Sequence, residues 1–356
     1  LNSSVVILPE EMEKEKREVF QAPRRRGPAR LLVFLVLLIG GLYAVHYLIN
    51  SGMKRIPSSD FGAVNRVMHG RVNADVVING SSRALVHYDP RELGAGTGSS
   101  VFNLGRNGSH TDLQAVALKT YLEHNSKPQL VIQNLDLHTL LPTEELYDVT
   151  TFVPYLSDEV IYSGFRSINP NVWKWRYLPL YAYVVEDIRF TWAYGLLGLA
   201  GVYPKEDYVD GFNPRYREWG SDFDRFKASH PNGVVVRTEA AGEAALKEII
   251  DLCSSKNIRL LFVYSPEYIE SQQLTKNRDA VLAKMKTIAD TARVEMWDFS
   301  GLALCQQRDY FYNSQHLNSR GAKAFSAILA AKIAEASLLK PQPPRSELSA
   351  RPVVSH

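Results

Sequence analysis

One stretch near the N-terminus differs from the mixed apolar and polar texture of the rest. Leu31 to Ile49, LLVFLVLLIGGLYAVHYLI, contains no Asp, Glu, Lys or Arg. As a helix rising roughly 1.5 Å per residue it nearly crosses a hydrocarbon layer of about 30 Å. A buried core helix normally keeps a polar stripe, and this one has none. A cleaved signal peptide carries a shorter apolar run, about 7–15 residues, ending in a small-x-small site that is not evident here. The pattern predicts a transmembrane helix over 31–50. Lys14, Lys16, Arg17, Arg24, Arg25, Arg26 and Arg30 precede it, whereas Lys54 and Arg55 follow closely and Arg66 and Arg71 at a distance. The more basic flank stays in the cytoplasm. Residues 1–30 are therefore expected as a cytoplasmic tail, with a short helix around Glu10–Val19, and the chain beyond residue 50 as periplasmic or extracellular.

After the span, strand-length apolar runs alternate with helical periodicity. Strands are expected at Asp75–Asn79, Val101–Leu104, Leu130–Leu135, Arg259–Tyr264 and Val294–Phe299. Helices are expected at Thr111–His124, Glu239–Ser254, Leu274–Thr291 and Ser319–Ala336. This alternation predicts an α/β domain over 57–338, a parallel sheet with helices on both faces. Ligands of such sheets bind at the carboxyl ends of the strands. Between 139 and 238 the alternation stops and aromatics gather: Trp173, Trp175, Tyr177, Tyr181, Tyr183, Phe190, Trp192 and Tyr194. Such an insert either packs its rings inward as a small helical subdomain, the commoner fate of large apolar side chains, or offers them to lipid headgroups or a membrane partner. Residues 339–356 are rich in Pro and Ser and read as disordered.

Composition adds limits. Of 356 residues, 45% are hydrophobic and 22% charged, enough for a sizeable core, and the formal net charge of +3 lacks the basic footprint of a nucleic-acid binder. Cys253 and Cys305 can pair in an oxidising compartment or stay as buried thiols.

Three short segments can carry chemistry. The first strand runs into Gly80-Ser81-Ser82-Arg83, where a hydroxyl can sit at the mouth of the sheet, or a serine can simply cap the next helix. The second strand runs into Asn103-Leu104-Gly105-Arg106-Asn107-Gly108-Ser109, whose glycines permit close backbone approach to a ligand. Before the last helix stands Asn313-Ser314-Gln315-His316-Leu317-Asn318-Ser319-Arg320-Gly321, in which His316 can act as general base for Ser82, oriented by a side chain three residues earlier.

Together these segments resemble the SGNH (GDSL-like) hydrolase superfamily, and within it the membrane-anchored, exported proteins of teichoic-acid D-alanylation and polysaccharide acylation. The resemblance implies a three-layer, flavodoxin-like parallel-sheet domain, with Ser82 as nucleophile, His316 as base and Gly108 as an oxyanion-hole glycine. It also implies work on cell-envelope esters beside a polytopic membrane acyltransferase, with the bilayer as a further partner and no cofactor or metal. Two positions depart from the family. Asn313 stands where an Asp precedes the His, and an amide orients an imidazole without offsetting its charge; Asp298 and Asp309 lie near in sequence as substitutes. The family's third-strand Asn is replaced by Gln133-Asn134-Leu135-Asp136-Leu137-His138, leaving Asn134 or His138 as oxyanion donors and Asp136 as a repelling charge. Arg83 is a candidate for binding an anionic group of the substrate. These departures leave a second reading open, a catalytically degenerate domain acting as an accessory or scaffold subunit of a membrane complex.

Overall fold

The computed structural model describes residues 27–184, 190–203 and 205–340. The expected helix at Glu10–Val19 and nearly all of the C-terminal tail lie outside these residues. The chain divides into two compact units, residues 1–47 and 48–356.

The first unit, as far as it is described, is helix α1 (Gly27–Met53), whose last six residues belong to the second unit. Among the described residues it is the one helix long and apolar enough to cross a membrane. Its side chains are exposed from Leu31 to Val45, with Leu37 70% exposed, and burial begins at Ile49. It begins at Gly27 rather than Leu31, because nothing in Gly-Pro-Ala-Arg breaks a helix at its start, where proline is tolerated.

The second unit is built on a parallel sheet of β1 (Val76–Asn79), β2 (Val101–Asn103), β3 (Leu130–Leu135), β4 (Arg259–Tyr264) and β5 (Glu295–Asp298), in the order β2-β1-β3-β4-β5. All residues of β1, β2 and β3 are buried, as continuous apolar runs in a doubly covered sheet require. Helices α2 (Ser59–Met68), α3 (Ser82–His87), α4 (Pro90–Thr97) and α5 (Thr111–His124) follow in chain order around β1 and β2. The insert contributes α6 (Glu159–Ile168), α7 (Val172–Tyr177), α8 (Trp192–Leu199) and α9 (Asp222–Ser229). The chain then continues through α10 (Ala240–Ser255), α11 (Ile269–Leu274), α12 (Arg278–Thr291), a small ladder of β6 (Phe311–Asn313) and β7 (His316–Leu317), and α13 (Ser319–Glu335).

Strand parity sorts the core. Val76, Ile78, Leu130, Ile132, Leu261 and Val263 face one side and pack on α3, α4 and α13 through Ala84, Leu93, Phe325 and Leu329. Val77, Phe102 and Val131 face the other and meet Leu118 and Tyr121 of α5 and Ile249 of α10. The insert has its own core of Phe152, Phe165, Trp175 and Tyr183 against Phe61 and Val64 of α2, while Trp173, Trp192 and Tyr194 remain exposed. Its aromatics thus divide between a buried core and exposed positions.

One expectation changes, and one of two open alternatives is met. The helix expected over 274–291 starts at Arg278, and Leu274 instead ends the short α11, because Val234 donates to the carbonyl of Leu274 and Lys276 to that of Val234, diverting the backbone from helical pairing. Cys253 and Cys305 are both free and buried, and burial pushes their thiols up to about 12 and about 11.

Phe325 is fully buried, edge to face with Tyr88 at 5.2 Å and Phe299 at 5.3 Å. Phe325→Ala should cost about 3–5 kcal/mol, the range for an aromatic lost from a packed core. Denaturant unfolding of the detergent-solubilised chain measures it.

Candidate active site

The strand order reverses direction between β1 and β3, since the chain leaves β1 toward one edge and β3 toward the other. Doubly wound sheets open a crevice at this point, beyond the carboxyl ends of the strands. Ser82 follows β1 and Asp136 follows β3, so both stand at that crevice.

Gly80 makes the exit from β1. Its φ of 153° is unfavourable for other residues, and a Cβ there would come within 2.8 Å of Ala84 and 2.9 Å of Asn134. Ser81 then takes the capping role. Its Oγ accepts from the Arg83 N–H at 3.3 Å and donates to the Asp136 carboxylate at 2.6 Å. Capping by Ser81 leaves the next hydroxyl free, and Ser82 Oγ lies 2.7 Å from His316 Nε2.

His316 is held on its other side by Asn313. The Asn313 Oδ1 accepts from the backbone N–H groups of Gln315 (3.0 Å) and His316 (2.9 Å), which identifies that atom as the oxygen. It lies 3.0 Å from His316 Nδ1, so Nδ1 carries the proton and Nε2 presents its lone pair to Ser82. Neither Asp298 nor Asp309 fills this place; the Asp298 carboxylate accepts from the Ser300 N–H. Tyr312 stacks on the imidazole at 5.4 Å. The segment is anchored from below by His87, whose Nε2 accepts from the Leu317 N–H at 3.1 Å while Nδ1 meets Ser265 Oγ at 2.9 Å.

The loop after β2 closes the cleft. Leu104 N–H donates to Ile78 and Arg106 N–H to Gly80, and Ser109 Oγ donates to the Gly80 carbonyl at 3.2 Å. Gly108, at φ 61°, lines the cleft together with Ser82, Asp136, His138 and Gln315.

Two expected site residues are placed elsewhere. Asn134 shares the face of Leu130 and Ile132, so its side chain enters the apolar layer, where Oδ1 accepts from Tyr88 at 2.7 Å and Nδ2 is buried without a hydrogen bond. It is sealed from the cleft and does not serve as an oxyanion donor in this geometry. Arg83 turns inward: it is buried over the Tyr264 ring, donates to the carbonyls of Ser265 and Pro266, and lies 3.8 Å from Glu267. Its guanidinium is taken up by this ion pair and by the two carbonyls. His138 is exposed at the cleft, with its backbone N–H on Asp136.

Sequence reasoning missed the Ser81–Asp136 pair, His87 and Tyr312. Only the double serine of GSS offered a signal, since one serine can cap while the other reacts.

Burial and then the Arg83 charge hold His316 down to about 4, with Asp136 opposing and Arg215 adding to the fall. Burial, Arg83 and His316 hold His87 well below the usual imidazole range.

The first consequence concerns rate. If Ser82 acts as nucleophile, kcat/KM should be flat through neutral pH and fall on an acid limb near 4 as His316 takes up its proton. Asn313→Asp should move that limb upward and raise kcat by about tenfold or more, because a carboxylate stabilises the imidazolium. A pH–rate profile that does not move would show that Asn313 does not govern His316. The second consequence concerns stability. Both histidines bind protons more readily when unfolded, near pH 6.5, so their contribution is fully present above about 6.5 and is lost as pH falls toward the folded values. Melting temperature should decline across that window, and the decline should be shallower in His87→Gln.

No protein-family model and no curated protein sequence matches the chain. Among solved structures it is similar to a protein of Streptococcus pneumonia described as a platelet activating factor, at 11% identity and TM-score 0.40, covering 86% of this chain and 99% of that one. A protein of Desulfitobacterium hafniense described as lipolytic and of the G-D-S-L family is similar at 11% identity and TM-score 0.36, covering 72% and 97%. Acetyl xylan esterase AlAXEase is similar at 12% identity and TM-score 0.36, covering 73% and 98%. Independently of these likenesses, the serine after β1 and the histidine before α13 meet on a sheet ordered 2-1-3-4-5.

Proposed function

We propose that the chain is a membrane-anchored serine acyl esterase or acyltransferase, with its α/β domain outside the cytoplasm and ester-linked acyl groups of cell-envelope glycan or lipid as substrates. The observation that carries this reading is the line Ser82 Oγ–His316 Nε2 and His316 Nδ1–Asn313 Oδ1, at 2.7 and 3.0 Å.

In this reading Ser82 Oγ attacks the acyl carbonyl and its proton passes to His316 Nε2. The tetrahedral oxyanion takes hydrogen bonds from the backbone N–H groups of Ser82 and Gly108, donors of a kind worth on the order of 10²–10³ in rate each. Collapse breaks the ester bond, and the departing alkoxide takes the proton from His316. Water, or the hydroxyl of a glycan, then attacks acyl-Ser82 with His316 again accepting the proton, which regenerates the serine. A polytopic membrane acyltransferase as supplier of the acyl group fits this scheme.

Asp136 favours a second reading. Its carboxylate lies on the β3 side of the cleft, where a developing oxyanion would be repelled, and a neutral amide backs His316. A domain built this way can serve as a non-catalytic accessory subunit.

Labelling of the full chain with a fluorophosphonate separates the two. Esterase chemistry requires that wild type be labelled and that Ser82→Ala and His316→Ala lose at least about 100-fold in rate, as loss of a triad member does. Wild type labelled no faster than Ser82→Ala would leave the accessory reading standing.

A further inference from the structure

We infer that α8 and the turn after it lie in the boundary layer of the bilayer that α1 crosses, as a lipid-contacting platform at the outer end of the span. The inference rests on reading α1 as a membrane anchor.

Helix α8, WAYGLLGL, carries no charged residue. It exposes Trp192 (41%), Leu196 (48%) and Leu197 (43%), and the residues after it expose Val202 (53%) and Tyr203 (38%). Contiguous apolar surface of this kind marks contact with a membrane or a protein. Its buried face is Gly195 and Gly198, which rest on Ile49 and Gly52 in the last turns of α1. A Cβ on Gly52 would run into the Gly195 carbonyl, and one on Gly198 into the Gly52 carbonyl. The two backbones therefore touch, as helices do in membranes where small residues line the contact.

This contact sets the depth. Ile49 closes the apolar run that starts at Leu31, before the polar Asn50 and Ser51, so it stands at the outer edge of the hydrocarbon layer. A helix in backbone contact with Ile49 and Gly52 stands at the same level. Trp192 and Tyr203 suit that level, since amphipathic rings favour the headgroup region. A partner protein or a second copy would also cover apolar surface, but neither accounts for the surface being level with the end of the span.

Site-directed spin labelling of the full chain in phosphatidylcholine liposomes tests this. Both native cysteines are buried, so a nitroxide reports on the introduced site. Labels at Leu196→Cys and Leu197→Cys should collide with oxygen over a nickel chelate several-fold more than a label at Val235→Cys, which is exposed on the domain. A label at Leu37→Cys should give the membrane-centre value. Ratios at 196 and 197 equal to that at 235 overturn the inference, as do immobilised labels reached by neither reagent, which would signal a protein contact. A water-exposed reading at 37 removes the anchor and the platform together. Without any cysteine, brominated acyl chains should quench wild-type fluorescence more than that of Trp192→Phe, and equal quenching speaks against the platform.

Discussion

The amide oxygen of Asn313 accepts three N–H donors, from the backbones of Gln315 and His316 and from the His316 ring. The two backbone bonds shape the turn that delivers His316 to the crevice, and the third selects its tautomer. A carboxylate would make the same three bonds and add a charge to stabilise imidazolium. The amide keeps the geometry and gives up the charge, so orientation and basicity, usually supplied together, are separated here.

Charge in the surrounding protein reinforces that separation. Arg83, which shares its buried partner Glu267 with Arg278, and Arg215 place positive charge near the imidazole. Asp136 opposes it from across the cleft, but its carboxylate is already engaged by Ser81 and by the His138 N–H. His316 therefore rests neutral, ready to accept a proton and poorly supported once it has one. Below it, the fully buried His87 must also stay neutral, because its Nε2 has to accept from Leu317 for the segment to hold its place. The same desolvation that positions the base thus makes both rings sensitive to acid.

Much of this was legible in sequence. The sheet appeared as apolar runs because strands covered on both faces need no alternation, and two of the three chemical segments fell at strand ends because the fold leaves the backbone open there. Asn134 was misread although β3 held the signal: Leu130, Ile132 and Asn134 have one parity, and a side chain of that parity enters the apolar layer. Arg83 had no such local signal. One step along a helix turns a side chain by about 100°, so the residue after an outward-facing serine can point inward. Its partners Ser265, Pro266 and Glu267 are far along the chain. The break between α11 and α12 was equally hidden, since it is made by Val234 from the distant insert.

The paired serines impose a last constraint. Ser81 caps α3 and binds Asp136, which releases Ser82 to meet His316 but brings a carboxylate to the β3 side of the cleft. An oxyanion formed at Ser82 would be repelled from that side. In the proposed reading the stabilising donors then come from the opposite wall, from the Ser82 N–H and the loop carrying Gly108. That loop has little latitude, because Gly108 sits at φ 61° and a Cβ there would run into the Tyr147 ring. In the proposed catalytic reading the serine pair and the glycine are therefore one device: the cap that frees Ser82 also dictates the wall from which an oxyanion formed there has to be held.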